Sequence, residues 1–314
     1  MNEPRVVALG GGHGLAASLS ALRRITTDLT AIVTVADNGG SSGRLRDEFG
    51  VLPPGDLRMA LAALCGDDRW GQTWARVLQH RFHSTGELDG HAVGNLLIVA
   101  LWELLGDHVD GLEWVGDLLG ARGRVLPMST VPIDIVGRAG VRNAQDGDTG
   151  IVEVRGQVEV ATTAGLIDVV LDPVEPPATP AAVDAIRRAD LVVLGPGSWY
   201  TSVLPHLLVP QLRRAIAEAG AHVVVTMNLV AQPGETEGFA PEDHLQVLRR
   251  HAPELRVDSV LADVASVPRP DVLREHAAQL GADLRLVDIA DVSSPGVHDA
   301  GKLAGAYAYL LGAT

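Results

Sequence analysis

The chain has 314 residues, 46% of them hydrophobic and 20% charged, which supplies a sizeable core and excludes intrinsic disorder. Lys and Arg number 25 against 39 Asp and Glu, so the formal net charge of −14 repels nucleic-acid backbones and anionic membrane surfaces. One cysteine, Cys65, excludes an internal disulfide and a cysteine metal cluster, and no apolar run approaches the ~18 residues of a membrane span. Met1-Asn2-Glu3-Pro4-Arg5 lacks the character of a targeting segment, so a cytoplasmic protein is expected.

Residues 5–9 are a short apolar run of the kind buried in a parallel sheet. Gly10-Gly11-Gly12-His13-Gly14 follows, and residues 15–24 then place Leu15, Leu19 and Leu22 at helical spacing. A second apolar run fills 29–36, completing a βαβ unit. Residues 56–120 read as helical. Residues 124–171 alternate like antiparallel strands, most regularly over 152–160, and the four prolines of 173–180 lead back out. Strands are then expected at 191–194, 222–227, 257–261 and 284–287, with helices at 204–219, 241–251, 271–280 and 300–311. The pattern predicts an α/β fold: a Rossmann-like, doubly wound, mostly parallel sheet built from about 1–50 and 180–314. A helical and antiparallel region of about 51–179 is inserted within this one domain of 1–314.

Gly10–Gly14 sits where a phosphate loop belongs, and Gly12, Gly14 and Ala17 satisfy the permissive dinucleotide fingerprint. Asp37, at the end of the second strand, holds the position of a ribose-binding acid. Residues 33–46 gather Asp37, Asn38, Gly40, Ser41, Ser42, Arg44 and Arg46, a set able to wrap a phosphate or sugar. Asp56 precedes a helix, either as its cap or as a ligand or cation contact. His91 and Asn95 lie one helical turn apart. Two further polar glycine loops follow strands and should share the carboxyl edge of the sheet. One carries Gly195, Gly197, Ser198, Tyr200 and Thr201, the other Asn228 and Gln232. Their hydroxyls suit phosphate oxygens, Tyr200 would offer a ring face, and Arg44 a bidentate grip. No serine sits in a nucleophile elbow, so no catalytic residue is assigned.

These segments resemble the YvcK-like gluconeogenesis factors and, more distantly, the CofD-like transferases. The carriers are GGGHGL at 10–15, VTVADNGGSSGRLR at 33–46, PPGDLR at 53–58, GHAVGNLL at 90–97, GPGSWYTSVLP at 195–205 and NLVAQPGETEGF at 228–239. The resemblance implies a cytoplasmic Rossmann-like protein linked to nucleotide-sugar binding, cell-wall control, cell shape and gluconeogenic growth. Its transferase branch implies magnesium and a phospholactyl-type transfer. Where that family usually has Thr, this chain has His13, and Val297-His298-Asp299 lacks an arginine common among relatives. Asp37-Asn38 in place of a paired acidic motif leans toward the non-transferase branch.

The expected function is therefore a regulator that binds a UDP-sugar, with UDP-N-acetylglucosamine as the leading ligand, rather than an enzyme. The expected ligand set is Gly11, Gly12, His13, Gly14, Asp37, Asn38, Gly40, Ser41, Ser42, Arg44, Asp56, Asn95, Gly195, Gly197, Ser198, Tyr200, Thr201, Asn228 and Gln232. No cofactor is required, magnesium has Asp37 and Asp56 as weak candidates, and a homodimer is the expected assembly. The alternatives are a magnesium-dependent transferase of a phosphorus-containing group from a nucleotide-diphosphate-linked donor, and an NAD(P)-binding oxidoreductase.

Overall fold

A computed structural model describes residues 3–142 and 149–312; Met1, Asn2 and positions 143–148 of the stretch expected to be antiparallel lie outside the described residues. The opening unit forms as predicted, with β1 (Val6–Gly10), α1 (Gly12–Leu22) and β2 (Leu29–Val33), and both strands are wholly buried. Helices α2 (Gly40–Phe49), α3 (Gly55–Leu64), α4 (Arg69–Gln79), α5 (Val93–Leu105) and α6 (His108–Leu119) lead to β3 (Arg124–Pro127). A three-stranded antiparallel sheet follows: β4 (Asp134–Arg142), β5 (Thr149–Arg155) and, after the short helix α7 (Gln157–Thr162), β6 (Leu166–Asp172). The remainder is α8 (Pro180–Arg188), β7 (Leu191–Leu194), α9 (Leu204–Leu208), α10 (Pro210–Glu218) and β8 (His222–Thr226). The last elements are α11 (Pro241–His251), β9 (Ser259–Asp263), α12 (Pro270–Ala278), β10 (Asp283–Val287) and α13 (Ala300–Leu310).

The large sheet has the order β10-β9-β8-β7-β1-β2-β3, with every neighbouring pair parallel. From β1 the chain moves outward through β2 and β3, then returns to β1's other side and moves outward again through β7 to β10. The order reverses between β1 and β7, which pair from Val6 with Leu191 to Leu9 with Leu194. A doubly wound sheet opens a crevice at that reversal, because the connections diverge to opposite faces. Among the described residues no helix is long and apolar enough to cross a membrane.

Three expectations need correction. The large sheet takes a strand from within 51–179: β3 pairs with β2 from Thr30 with Arg124 to Val33 with Pro127. The period-2 run 152–160 is not one strand, because Gly156 at φ +107 ends β5 and the chain enters α7. The helix expected over 204–219 is broken at Pro210, which has no N–H to continue α9 and instead starts α10 after an extended Val209.

A buried hydroxyl on α13 ties the sheet to the helix beneath the crevice. Tyr307 Oη lies 2.9 Å from Ser18 Oγ on α1 and 3.0 Å from Thr226 Oγ1 at the end of β8. Ser18 Oγ donates to the Gly195 carbonyl at 3.0 Å. Burial pushes the Tyr307 phenol up to about 12, against the pull of these two hydrogen bonds. Tyr307→Phe keeps the ring and strips this network, so it should lower unfolding stability by about 1–3 kcal/mol in urea titrations. A change within error would mean that the network contributes nothing net.

Candidate functional site

The loop between β1 and α1 is shaped by backbone needs. Gly11 is the extended N-cap residue and has no side chain of its own to cap α1, and Gly12 adopts φ +56, a conformation that glycine alone tolerates readily. The first-turn amides of α1 thus form an anion-attracting end. A Cβ on Gly14 would run into the Pro196 carbonyl and Gly197 Cα. Gly195 and Gly197 lie at φ +76 and +142. Asn228 then clamps Gly197, accepting from its N–H at 2.8 Å and donating to its carbonyl at 2.8 Å. Loops after β1, β7 and β8 consequently converge on a crevice of about 170 Å³ whose lining includes His13, Gly14, Gly197, Asn228, Gln232 and His298.

The Asp56 carboxylate flanks this loop, and that of Asp37 lies near Asp56. A Cβ on Gly11 would strike the Asp56 carboxylate, and one on Gly55 would come within 3.0 Å of Asp37 Oδ2. Asp37 Oδ1 accepts from the Gly39 N–H at 2.9 Å. Burial, with Asp37 nearby, pushes the Asp56 carboxyl up to about 7, against the pull of the Gly12 N–H and Arg58. Arg58 is itself buried and held down to about 10 chiefly by that burial. It donates to Asn95 Oδ1 at 2.9 Å and to Gln79. Asn95 Nδ2 and the Ala92 N–H both donate to Ser41 Oγ, whose own proton is left for His91 Nδ1 at 3.0 Å. Burial lowers the His91 pKa, which suits that acceptor role. No group of three or more His, Cys, Asp or Glu converges among the described residues. A carboxylate pair suits magnesium, which commonly takes one or two carboxylates and completes its shell with phosphate and water.

Several residues expected to face ligand have their polar groups engaged within the protein. Ser41 and Asn95 belong to the buried network just described. Asn38 donates to Glu159 and accepts from the Val158 N–H, fastening the loop after β2 to α7. The Arg44 guanidinium, expected on a diphosphate, donates to the carbonyls of Glu87 and Asp89 at 3.2 and 2.6 Å. Arg46 pairs with Asp134 at 2.6 Å. Tyr200, expected to offer a ring face, is only 1% exposed and meets Phe239 edge-on instead. Ser42 is buried against Gly55, and Gly40 is open to solvent at φ +50.

Glu235, which lies outside the expected set, engages Ser198. It is 3% exposed, accepts from Ser198 Oγ at 2.6 Å and from the Tyr200 N–H at 2.7 Å, and Ser198 also bonds Thr201. A carboxylate of the protein therefore takes donors that the sequence reading assigned to phosphate. Burial raises its pKa against those bonds. Its only sequence signal is its place within the motif 228–239. Asp263, at the end of β9, was also missed. Its two oxygens accept from the N–H groups of Ala265, Ser266, Ile289 and Ala290, joining the loops after β9 and β10. Burial works to raise its pKa, but these bonds hold it below the usual range.

The family model described as 2-phospho-L-lactate transferase CofD matches residues 6–299. The "Putative gluconeogenesis factor" of Mycobacterium tuberculosis is 54% identical over 264 residues, which span 84% of this chain and 77% of that protein. The "Gluconeogenesis factor" of Bacillus subtilis is 36% identical over 266 residues, spanning 85% and 80% respectively. A crystal structure of a UPF0052 family member from Bacillus halodurans is similar at a TM-score of 0.84 and 34% identity, over 98% of this chain and 99% of that one.

Asp56 makes the fold sensitive to pH. Its carboxyl titrates near 7 in the folded chain against 3.8 as the ordinary value, so the folded state retains a proton that the unfolded chain has lost. That contribution is complete below about pH 4 and is lost as pH rises through 7. Without divalent cations, Asp56→Asn should therefore melt higher than the parent at pH 8 and match it closely near pH 4. Equal melting differences at both pH values would place the Asp56 carboxyl at an ordinary pKa.

Proposed function

This chain belongs to the CofD family, and from that premise we propose that it binds a nucleotide sugar, UDP-N-acetylglucosamine being the leading ligand. In this reading it acts as a cytoplasmic regulator of cell-wall synthesis and cell shape during gluconeogenic growth, assembled as a homodimer. One observation carries the binding reading: the loops after β1, β7 and β8 meet at the reversal of strand order, beside the start of α1. Nucleotide diphosphates suit such places, because backbone N–H groups and the helix dipole take the negative charge without a lysine.

The carboxylate pair modifies that reading. A diphosphate brought beside Asp37 and Asp56 meets two negative groups, while Arg44, Arg46 and Arg58 are engaged elsewhere. A magnesium ion held by Asp37 and Asp56 would neutralise this charge and supply Lewis-acid stabilisation to phosphate oxygens. This chain's own part is to orient the carboxylates: Gly39 fixes Asp37, and the start of α3 fixes Asp56. The same pair favours a second reading, transfer of a phosphorus-containing group from a nucleotide-diphosphate-linked donor.

Calorimetry with UDP-N-acetylglucosamine, GDP and NAD, each with magnesium and with EDTA, tests the binding reading. The UDP-sugar should bind best, and EDTA should weaken it. Gly14→Ala pushes a methyl into the Pro196 carbonyl and should cost at least about tenfold in affinity, equivalent to ~1.4 kcal/mol. Preference for GDP or NAD would overturn the ligand choice. Phosphorus NMR that follows steady conversion of a nucleotide-linked donor would establish the transferase reading instead.

A further inference from the structure

Across the segment 228–230 from the crevice lies a second cavity of about 220 Å³. Met227, Leu229, Phe239, Pro241 and Pro268 give it apolar walls. The two cavities share Asn228, Leu229 and Val230, so a ligand anchored at the glycine loop reaches the second by passing over this segment.

His244, in the first turn of α11, also lines this cavity and is itself buried. Its Nδ1 lies 3.2 Å from the Ala240 carbonyl. A carbonyl only accepts, so Nδ1 carries the proton and Nε2 is left as a bare acceptor. That Nε2 is buried and has no hydrogen-bond partner. The ring orientation is fixed by neighbours: Trp199 meets it at 5.2 Å and Phe239 at 5.4 Å, both edge-on. Burial lowers the pKa of His244, which favours the neutral ring.

Buried polar atoms in native proteins almost always find partners, so an unmatched acceptor on a residue that lines a cavity points to a group still to be bound. The cavity's chemistry restricts that group. Ser266 Oγ donates to Asp263 at 3.2 Å, so it too presents lone pairs to a ligand. Apolar walls with neutral acceptors fit an uncharged ring bearing O–H or N–H donors, and they disfavour a phosphate.

We propose that this cavity is the subsite for the sugar of the nucleotide sugar, with a hydroxyl or acetamido N–H of the hexose donating to His244 Nε2. The assignment rests on the nucleotide-sugar reading above and adds where the non-nucleotide half lies.

Calorimetry on the full chain with UDP and with UDP-N-acetylglucosamine, in magnesium, separates the two claims. The parent should bind the sugar nucleotide more tightly than UDP. His244→Phe keeps an aromatic ring without the acceptor and should remove roughly three- to tenfold of that preference, the range for one neutral hydrogen bond, with UDP affinity unchanged. His244→Gln restores an acceptor and should recover part of it. Nitrogen NMR of the parent's histidines gives a readout free of mutation: the Nε2 signal of His244 should move on adding UDP-N-acetylglucosamine and stay in place with UDP. An unmoved Nε2 signal, or an unchanged preference in His244→Phe, overturns the subsite. UDP binding with no gain from the sugar overturns the subsite and leaves the nucleotide reading standing. Binding of neither compound defeats both.

Discussion

Backbone meets backbone where β1 and β7 release the chain, and the candidate site depends on that contact. Gly14 packs against the Pro196 carbonyl and Gly197 Cα so closely that no side chain fits between them. The approach is possible because parallel neighbours end at the same level, Leu9 beside Leu194. It is held by Asn228, whose amide imitates a peptide and bonds both polar groups of Gly197. Below, Ser18 holds the Gly195 carbonyl and passes the constraint to Tyr307 and Thr226. A rigid backbone frame of this kind keeps N–H groups in place at little entropic cost, which is what recognition of a phosphate by main chain requires.

The inserted sheet is joined to the same frame. Asn38, one residue past Asp37, bonds both Glu159 and the Val158 N–H at the start of α7, and Gly39 packs against Val158. From the other side, Gly234 lies against Ala161 and Thr162. The short helix α7 therefore touches the loop after β2 and the loop after β8 at once. The antiparallel insertion thus braces two loops of the site as well as adding mass to the domain.

The sheet was legible in the sequence because its signal is redundant. Uniformly apolar runs such as 191–194 stand between helices of clear 3.6-residue period, and glycine turns mark the strand ends. β3 was harder to read: four residues, one of them exposed, directly ahead of antiparallel strands, carry no local mark of which sheet they join. At the site, the glycine loops stand at the strand ends as the sequence implies, while many of their polar side chains bond within the protein. Polar residues clustered near glycines look like ligand contacts, yet Asn38, Ser41, Arg44, Ser198 and Asn228 spend their hydrogen bonds on neighbouring loops. A loop rich in glycine has little else to hold its shape. Partners such as Glu235 with Ser198, 37 residues away, depend on strand order, which composition does not encode.

An acidic chain that binds an anion faces opposition at long range and must win at short range. The net charge of −14 works against approach of a diphosphate, and more so at low salt. Close in, the usual remedy of a free arginine is missing from the loop after β2, since Arg44 and Arg46 are occupied by Glu87, Asp89 and Asp134. Arg58 is buried on Asn95 and Gln79, and acts on Asp56 only as a nearby charge. What remains is the positive end of α1 and whatever Asp37 and Asp56 recruit. The rise of Asp56 to about 7 comes chiefly from burial, with repulsion from Asp37 added to it. A divalent cation would relieve the carboxylate repulsion and draw in the phosphate at the same time. Under the proposed function, cation and nucleotide therefore bind with positive coupling, each strengthening the other by the same factor.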